Sequence, residues 1–447
     1  MKYSELVRAQ ILEKVEHYYL LKKAEDSKEF EEGDRISYSG RVYDEREMVN
    51  LVSSSLDFWL TSGKYCNEFE KKFVKWNDSK YALFVNSGSS ANLLAFMALT
   101  SPLINKSYPE KQRIERGDEV ITVSAGFPTT ISPIVNFGAI PVFVDVKLST
   151  FNIDTSQLEK ALSPKTRAVF LAHTLGNTFD MESVNEFCND NNLWLISDEC
   201  DALGSTYNNK PLSYYADIST HSFYPAHIMT TGQGGMVTTE QPTLNKIMKS
   251  IRDWGRDCTC NTGEDNKCGK RFEGQYGDMP EGFDHKYIYS HLGYNLQATE
   301  MQASIGLAQL DKLDGFIKQR RNNFKRLYEG LKDLKDYIIL PRATINSNPA
   351  WFGFYFTIID SDRYNRNELA QFLENSGIQS RMLFSGNIIK QPCFSQLTEY
   401  KDYRKIGDLP NTNKIMEDSL WVGVFPGMTT EKLDYMIKKI KEYFVKN

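Results

Sequence analysis

The chain has 447 residues and a formal net charge of −5, with 41% hydrophobic and 25% charged residues. Its length suits two domains of roughly 100–200 residues each, and its acidic balance excludes the basic surface of nucleic-acid or anionic-membrane binding. No apolar run approaches the roughly 18 residues of a membrane-spanning helix. The N-terminal sequence lacks the apolar core of a signal peptide, so a cytoplasmic enzyme is expected.

The N-terminal segment and the region after residue 80 differ in their hydrophobic pattern. Val7, Ile11, Val15 and Tyr18 recur at helical spacing, which predicts an amphipathic helix within residues 5–30. Beyond residue 80, short runs that are apolar at nearly every position alternate with longer helical stretches, as in a parallel sheet buried on both faces. The predicted strands are residues 81–86, 119–123, 140–146, 167–173 and 193–197.

The later part of the chain contains an interruption and a smaller region. Residues 255–290 are rich in Gly, Asp and Cys without periodicity, and we predict an inserted loop there. A long charged helix is predicted over 303–331 and leads to alternating strands and helices. The predicted fold class is α/β. Its parts are an N-terminal helical extension (1–50), a large domain with a mostly parallel sheet (51–320) and a small C-terminal α/β domain (321–447).

Small residues follow the first predicted strand. Ser87, Gly88, Ser89 and Ser90 stand between that strand and a helical stretch that begins near Asn92. A strand, a small-residue turn and a helix N-terminus present free N–H groups and a positive dipole end to an anion. Taken alone, these residues are better explained by a plain strand-to-helix turn capped by serine. The stretch therefore predicts a phosphate site only in combination with other motifs.

Two further motifs also follow predicted strands. Asp198 ends a buried strand, where open α/β sheets bind ligands, and its carboxylate can hold a pyridine nitrogen protonated. Phe127 lies just beyond another strand and can stack on a ring. The structural alternatives are an aspartate that caps the next turn and a core phenylalanine.

Four of the seven cysteines have a distinctive spacing. Between Cys200 and Cys258 stand 57 residues, between Cys258 and Cys260 one, and between Cys260 and Cys268 seven. Four thiolates bind a [2Fe–2S] cluster. They also bind zinc, although zinc sites usually use paired knuckles with two to four residues between the cysteines. The residues themselves leave an iron–sulfur cluster, zinc and unligated thiols open.

Five motifs occur in a fixed order, namely GSSAN near residue 88, AGFPTT near 127, DECDALGS near 198, SFYPAHIMTTGQGG from 222 and SHLGYNLQATEMQA over 290–303. Over nearly the whole chain they resemble the DegT/DnrJ/EryC1/StrS family of sugar aminotransferases. This resemblance implies the fold-type I architecture of pyridoxal phosphate (PLP)-dependent transferases, similar to aspartate aminotransferase. At the position of His227 those aminotransferases have the lysine that binds the cofactor covalently. Histidine there resembles the 3-dehydratase branch, which uses pyridoxamine phosphate (PMP).

The resemblance implies roles for individual residues. His227 would be the base that removes a proton from the cofactor methylene, a role suited to an ordinary imidazole pKa of about 6.5. Asp198 would pair with the pyridine nitrogen, and Phe127 would stack on the ring. The cofactor phosphate would be held by Gly88, Ser89, Ser222 and, from the other subunit of a homodimer, Asn295. Gln233 departs from the glutamate common in this branch. Candidate sugar or diphosphate contacts are Tyr224, Trp351 and Arg381.

Together with SFYPAH, the cysteine spacing resembles the iron–sulfur members of this branch. These CDP-4-keto-6-deoxyhexose 3-dehydrases serve 3,6-dideoxyhexose and O-antigen lipopolysaccharide biosynthesis, and an NADH-dependent flavin and iron–sulfur reductase supplies their electrons. The resemblance implies a [2Fe–2S] cluster on Cys200, Cys258, Cys260 and Cys268, and a nucleotide-sugar substrate. The alternatives are a cluster-free dehydratase that regenerates the amine from glutamate, and a zinc-containing relative without catalysis.

Overall fold

The computed structural model describes residues 2–260, 263–267 and 269–446. The helices are α1 (Tyr3–Glu25), α2 (Glu45–Asp57), α3 (Lys64–Asn77), α4 (Gly88–Ala98), α5 (Leu103–Ser107), α6 (Pro128–Phe137), α7 (Leu158–Ala161), α8 (Met181–Asp190), α9 (Pro242–Arg252), α10 (Glu300–Leu310), α11 (Leu313–Leu331), α12 (Arg366–Asn375), α13 (Pro410–Asp418) and α14 (Thr430–Lys446). The strands are β1 (Tyr81–Val85), β2 (Glu119–Val123), β3 (Ile140–Val144), β4 (Thr166–Ala172), β5 (Trp194–Asp198), β6 (Thr206–Tyr207), β7 (Lys210–Pro211), β8 (Ile218–Ser222), β9 (Gly235–Thr239), β10 (Ile338–Ile339), β11 (Ser347–Asn348), β12 (Gly353–Ile358), β13 (Ser380–Arg381), β14 (Arg404–Lys405) and β15 (Ser419–Gly423). Among these residues no helix is both long enough and apolar enough to cross a membrane.

The central sheet has the strand order β1-β9-β8-β5-β4-β2-β3-β14. Between β8 and β14 all five pairs of adjacent strands are parallel. Successive residues of β2, β4 and β5 enter two different apolar clusters, so both faces of the sheet are covered. This double burial is why the strands are apolar at nearly every position. The predicted α/β class with a mostly parallel sheet is confirmed.

The pairing of the first strand departs from the predicted parallel arrangement. Within the described residues β9 is the one strand that pairs with β1, and that pair is antiparallel. Because β9 is also antiparallel to β8, β1 still points in the same direction as the parallel strands. The sequence pattern did not predict β9. This short strand follows β8 after a glycine-rich loop with no helix between them, so it does not fit the alternation of strands and helices.

Two predicted helices have different limits in the structure. The predicted helix over 303–331 is two helices, α10 and α11, separated by Asp311 and Lys312. The break allows α10 to pack against α2 and α3 while α11 packs against α14, so tertiary contacts override the continuous helical propensity. The N-terminal helix ends earlier than predicted, at Glu25, and Tyr19 is its one buried residue within the described chain.

A smaller sheet has the order β10-β12-β15-β13, with antiparallel pairs throughout. The N-terminal segment extends its edge, because Ile36 bridges to Ile378. In the described part of 255–290 a short turn, His285–Tyr287, is the one regular element, which confirms the predicted loop. β14 lies beside β3 in the large sheet, so the C-terminal region contributes to both sheets. The predicted domain limits, 1–50, 51–320 and 321–447, stay predictions.

Candidate active site

A cavity of about 550 Å³ opens at the carboxyl ends of the parallel strands. Ala172, Asp198 and Ser222, the last residues of β4, β5 and β8, line it. This volume lies in the range of small-molecule and cofactor sites, roughly 300–1,000 Å³, and the location is where open α/β sheets bind ligands. The sequence-predicted residues that the structure brings together here are Gly88, Ser89, Phe127, Asp198, Cys200, Ser222, Tyr224, His227 and Arg381.

The carboxylate of Asp198 is buried and held by three hydrogen bonds. Asn92 Nδ2 donates to Oδ2 at 2.7 Å, Thr130 Oγ1 donates to the same oxygen at 2.8 Å, and the Cys200 N–H donates to Oδ1 at 3.1 Å. Asn92 is itself fixed, because Thr220 Oγ1 donates to its side-chain oxygen at 2.6 Å. We did not predict Asn92 or Thr130 as site residues, although both lie within motifs singled out from the sequence, GSSAN and AGFPTT.

The turn before α4 forms a cradle of small residues. Ser87 caps the helix, its Oγ accepting from the Ser90 N–H at 3.0 Å, and the first N–H groups of a helix have no acceptor within it. A side chain at Gly88 would collide with Ser222, and one at Gly235 would collide with the backbone of Ser87. Both glycines are therefore required for the turn to lie directly against the end of β8. The cradle fits a phosphate bound by backbone N–H groups and the Ser222 hydroxyl.

His227 lies in the turn after β8 and lines the cavity. The backbone N–H of His227 donates to the Tyr224 carbonyl at 2.9 Å, and the Arg320 guanidinium donates to the backbone carbonyl of His227 at 3.0 Å. Burial, together with the positive charge of Arg320, lowers the pKa of His227 to about 3. The imidazole is therefore neutral near pH 7, and burial makes it a weaker base than the ordinary pKa of about 6.5 predicted from the sequence.

Asp201 lies next to the imidazole. Its Oδ1 is 3.4 Å from His227 Nδ1, although the two groups lack the alignment of a hydrogen bond. The Leu175 N–H donates to Oδ2 at 3.2 Å. Burial, followed by the negative charge of Asp198, raises the pKa of Asp201 to about 8. A carboxyl group thus occupies the Nδ1 side of His227 and leaves Nε2 for a ligand.

The predicted metal ligands do not come together in the described part of the chain. Cys200 lines the central cavity, whereas Cys258 lines a separate small depression beside α9 with Ser290 and His291. Cys268 lies outside the described residues, and no group of three or more His, Cys, Asp and Glu with metal-ligand geometry occurs within them. Burial, aided by the charge of Asp198, raises the pKa of the Cys200 thiol well above its ordinary value.

Two other predicted contacts have different outcomes. Asn295 is exposed and lies beside Asp253, outside the set of cavity-lining residues, so its predicted contact with the cofactor of a second subunit stays a prediction. The suggestion that Trp351 binds a sugar is wrong. Its ring is buried and stacked on Phe324, with centroids 3.7 Å apart, and it does not line the cavity.

Part of the cavity wall was not predicted. Tyr38 comes from the segment between α1 and α2, and Phe352 and Trp421 come from the region of the small sheet. No motif marks these residues, because each is an isolated aromatic whose position depends on how distant segments pack. Phe127 is half-exposed at the start of α6 and meets Phe384 edge-on, with centroids 5.7 Å apart.

A buried histidine behind the cavity predicts pH-dependent stability. His221 Nδ1 has no hydrogen-bond partner in the described chain and lies 3.7 Å from Glu199, and burial lowers the His221 pKa to about 3. Below about pH 6.5 the unfolded chain protonates this histidine and the folded chain does not, so the contribution of His221 to stability falls as pH falls, by at most roughly 1.4 kcal/mol per pH unit. The raised pKa of the neighbouring Glu199, about 8, acts in the opposite direction. His221→Phe should remove this contribution from urea-unfolding free energies measured between pH 5 and 6.5. An unchanged slope would contradict the prediction, and the exposed His17→Asn is the matched control.

Residues 42–441 match the DegT/DnrJ/EryC1/StrS aminotransferase family. The lipopolysaccharide biosynthesis protein RfbH of Salmonella typhimurium is 49% identical over 406 residues, which cover 91% of each chain. A dTDP-4-dehydro-2,6-dideoxy-D-glucose 3-dehydratase of Saccharopolyspora spinosa is 44% identical and matches 92% of this chain and 87% of its own. The solved structure of an E. coli GDP-4-keto-6-deoxy-D-mannose-3-dehydratase with bound hydrated PLP superposes with a TM-score of 0.80 at 28% identity, covering 91% of this chain and 99% of that one.

Proposed function

The chain belongs to the DegT/DnrJ/EryC1/StrS aminotransferase family, and from this membership we propose that it is a PMP-dependent lyase that removes the carbon-3 hydroxyl of a nucleotide-linked 4-keto-6-deoxyhexose. The single observation that carries the proposal is His227, a neutral imidazole in the cavity. Lysine at this position would bind the cofactor covalently as a Schiff base for amino transfer, whereas histidine has no primary amine to form that bond and can act as an acid or base. The relatives named as 3-dehydratases act on sugars of this chemical class.

The cavity residues fit the proposed cofactor. The glycine-lined cradle before α4 accepts its phosphate, the buried carboxylate of Asp198 pairs with a protonated ring nitrogen, and the exposed ring of Phe127 offers a stacking face. When bound, PMP supplies an amine that condenses with a ketone and a ring that accepts an electron pair. Asn92 and Thr130 keep the Asp198 carboxylate in place, so it need not reorganise during the reaction.

His227 performs the proton transfers in this proposal. With PMP bound, His227 Nε2 would accept a proton from the cofactor methylene and would return it to the departing carbon-3 hydroxyl, which would leave as water. As the ring gains positive charge, its Nδ1–H faces Asp201, whose oxygen is 3.4 Å away. The Arg320 guanidinium binds the His227 carbonyl at 3.0 Å and prevents the turn from shifting.

The function is tested by mixing the PMP-loaded protein with CDP-, dTDP- and GDP-linked 4-keto-6-deoxyhexoses. Loss of the carbon-3 hydroxyl, followed by NMR of the quenched sugar, is the expected result. The CDP-linked sugar is expected to react with the highest kcat/KM, in line with synthesis of a 3,6-dideoxyhexose for lipopolysaccharide. Transfer of an amino group to a sugar whose carbon-3 hydroxyl is intact would refute the proposal.

We further propose that Cys200, Cys258, Cys260 and Cys268 bind a [2Fe–2S] cluster that takes electrons from an NADH-dependent flavin and iron–sulfur reductase. The spacing of the four cysteines and the position of Cys200 in the cavity support this proposal. The described residues do not form the site, because Cys258 lies in a different depression. We therefore assign the cluster no step in the reaction. The separation of Cys258 from Cys200 favours a second candidate, which is a dehydratase that has no cluster and regenerates the amine from glutamate.

Metal analysis separates these two candidates. Anaerobically purified protein with a cluster should contain about two irons and two acid-labile sulfides per chain, and Cys258→Ser with Cys260→Ser should lose both. The control is Cys393→Ser, which changes an exposed thiol outside the set. Iron-free protein that dehydrates the sugar with glutamate as the amine donor would establish the second candidate and refute the cluster.

A further inference from the structure

A second part of the cavity wall is formed by the small sheet and the N-terminal segment. Arg381 of β13 pairs with Trp421 of β15. Tyr38 lies across this pair because the Ile36 N–H donates to the Gly377 carbonyl at 2.8 Å, which joins the segment to the edge of the sheet. A side chain at Gly423 would collide with the Tyr38 backbone. The glycine therefore permits the close approach that places Tyr38 beside Arg381.

The Arg381 guanidinium has little to bind within the chain. It lies over the Tyr38 ring at 4.4 Å, and its one hydrogen bond in the described chain is to the Ser380 carbonyl at 2.9 Å. Tyr38 is braced in turn by Trp421, edge-on at 5.3 Å. Among the described residues no carboxylate lies within ion-pair distance of Arg381. An arginine fixed on an aromatic ring keeps most of its five N–H donors for a ligand.

Arg381 is the one Lys or Arg side chain among the described residues that line the cavity. The turn before α4 already offers a cradle for the cofactor phosphate, so the partly exposed, unpaired guanidinium is available to a second anion. A nucleotide-linked sugar carries such an anion in its diphosphate. Planar guanidinium groups bind phosphate oxygens in pairs, and the neighbouring, partly exposed ring of Phe384 offers an apolar face to the linked sugar.

We propose that Arg381, held on the Tyr38 ring, binds the diphosphate of the nucleotide-sugar substrate. This inference rests on the proposed function and adds a substrate-binding residue to it. The substrate site then spans two parts of the chain, because Tyr38 comes from the N-terminal segment and Arg381 from the small sheet. Chemistry at His227 does not involve Arg381, so its loss should weaken substrate binding more than turnover.

The test is Arg381→Gln, with Arg381→Lys as the conservative variant. Arg381→Gln should raise the KM for the nucleotide sugar roughly 10–100-fold, as expected for loss of charge-assisted hydrogen bonds. Its kcat should change less than threefold, and the lysine variant should recover part of the loss. The Kd of free CDP, measured by calorimetry, should weaken by a similar factor while PMP affinity stays unchanged. The surface variant Arg326→Gln should match the unaltered chain.

Three results would overturn the inference. An unchanged KM or an unchanged CDP affinity in Arg381→Gln would show that the guanidinium does not bind the diphosphate. Loss of PMP in this variant would show that the guanidinium supports the cofactor instead. If that variant fails to fold, Tyr38→Leu tests the same contact, because it keeps the charge but removes the ring and should raise KM about 3–10-fold. Failure of the proposed function is a separate result, because the unaltered chain would then not dehydrate any of the nucleotide sugars.

Discussion

Replacing His227 with asparagine is expected to lower the kcat of sugar dehydration roughly 10²–10⁴-fold, the usual contribution of a general acid–base. Asparagine cannot hold a proton at neutral pH. The backbone contacts of residue 227 with Tyr224 and Arg320 do not use the side chain, so the turn should keep its shape. Single-turnover assays with the PMP-loaded variant measure the rate, and the cofactor absorption spectrum checks that PMP stays bound.

The controls for this variant separate chemistry from folding. His17→Asn changes an exposed histidine of α1 and should leave kcat unaltered. Asp201→Asn keeps an oxygen beside Nδ1 and should lower kcat less than His227→Asn does. Dehydration by His227→Asn at more than a tenth of the unaltered rate would remove His227 from the mechanism.

Replacing Asp198 with asparagine is expected to lower kcat roughly 10²–10³-fold, as for loss of one preorganised electrostatic group. The substitution conserves shape but removes the negative charge that keeps a pyridine nitrogen protonated. It also turns an oxygen that accepts from Asn92 and Thr130 into a possible donor. PMP affinity should fall as well, because in the proposed site the charge pairs with the ring nitrogen of the cofactor. Equilibrium dialysis and single-turnover rates measure the two effects.

Asp145→Asn is the matched control for this substitution. Asp145 is also buried and also accepts hydrogen bonds, from the Asn411 N–H at 3.0 Å and the Thr412 N–H at 2.9 Å, but it lies outside the cavity. Its replacement should lower the free energy of unfolding and leave PMP affinity unaltered. If Asp198→Asn also changes only stability, the pyridine contact is disproved.

The residues of the site were predictable where a strand ends at a motif. Asp198 follows a run of buried apolar residues, and that run fixes both the strand and its carboxyl end. The turn at Gly88 was predictable for the same reason. In such places the local pattern determines the position, because neighbouring parallel strands bring their ends to one edge of the sheet.

Other parts of the site depend on packing that no local pattern records. Tyr38 and Arg381 meet because the N-terminal segment joins the edge of the small sheet, and nothing near either residue indicates the pairing. The spacing of the cysteines likewise does not determine where the loop over 255–290 lies relative to Cys200. The break between α10 and α11 arises from two different packing partners, which a continuous helical sequence does not reveal.

We expect this chain to eliminate the carbon-3 hydroxyl of the sugar instead of transferring an amino group to it. The most direct measurement is NMR analysis of the sugar after one turnover of CDP-4-keto-6-deoxyhexose by the PMP-loaded chain. We predict that the carbon-3 hydroxyl is lost with the unaltered chain and retained with His227→Asn. A sugar that gains an amino group at carbon 4 and keeps its carbon-3 hydroxyl would contradict the claim.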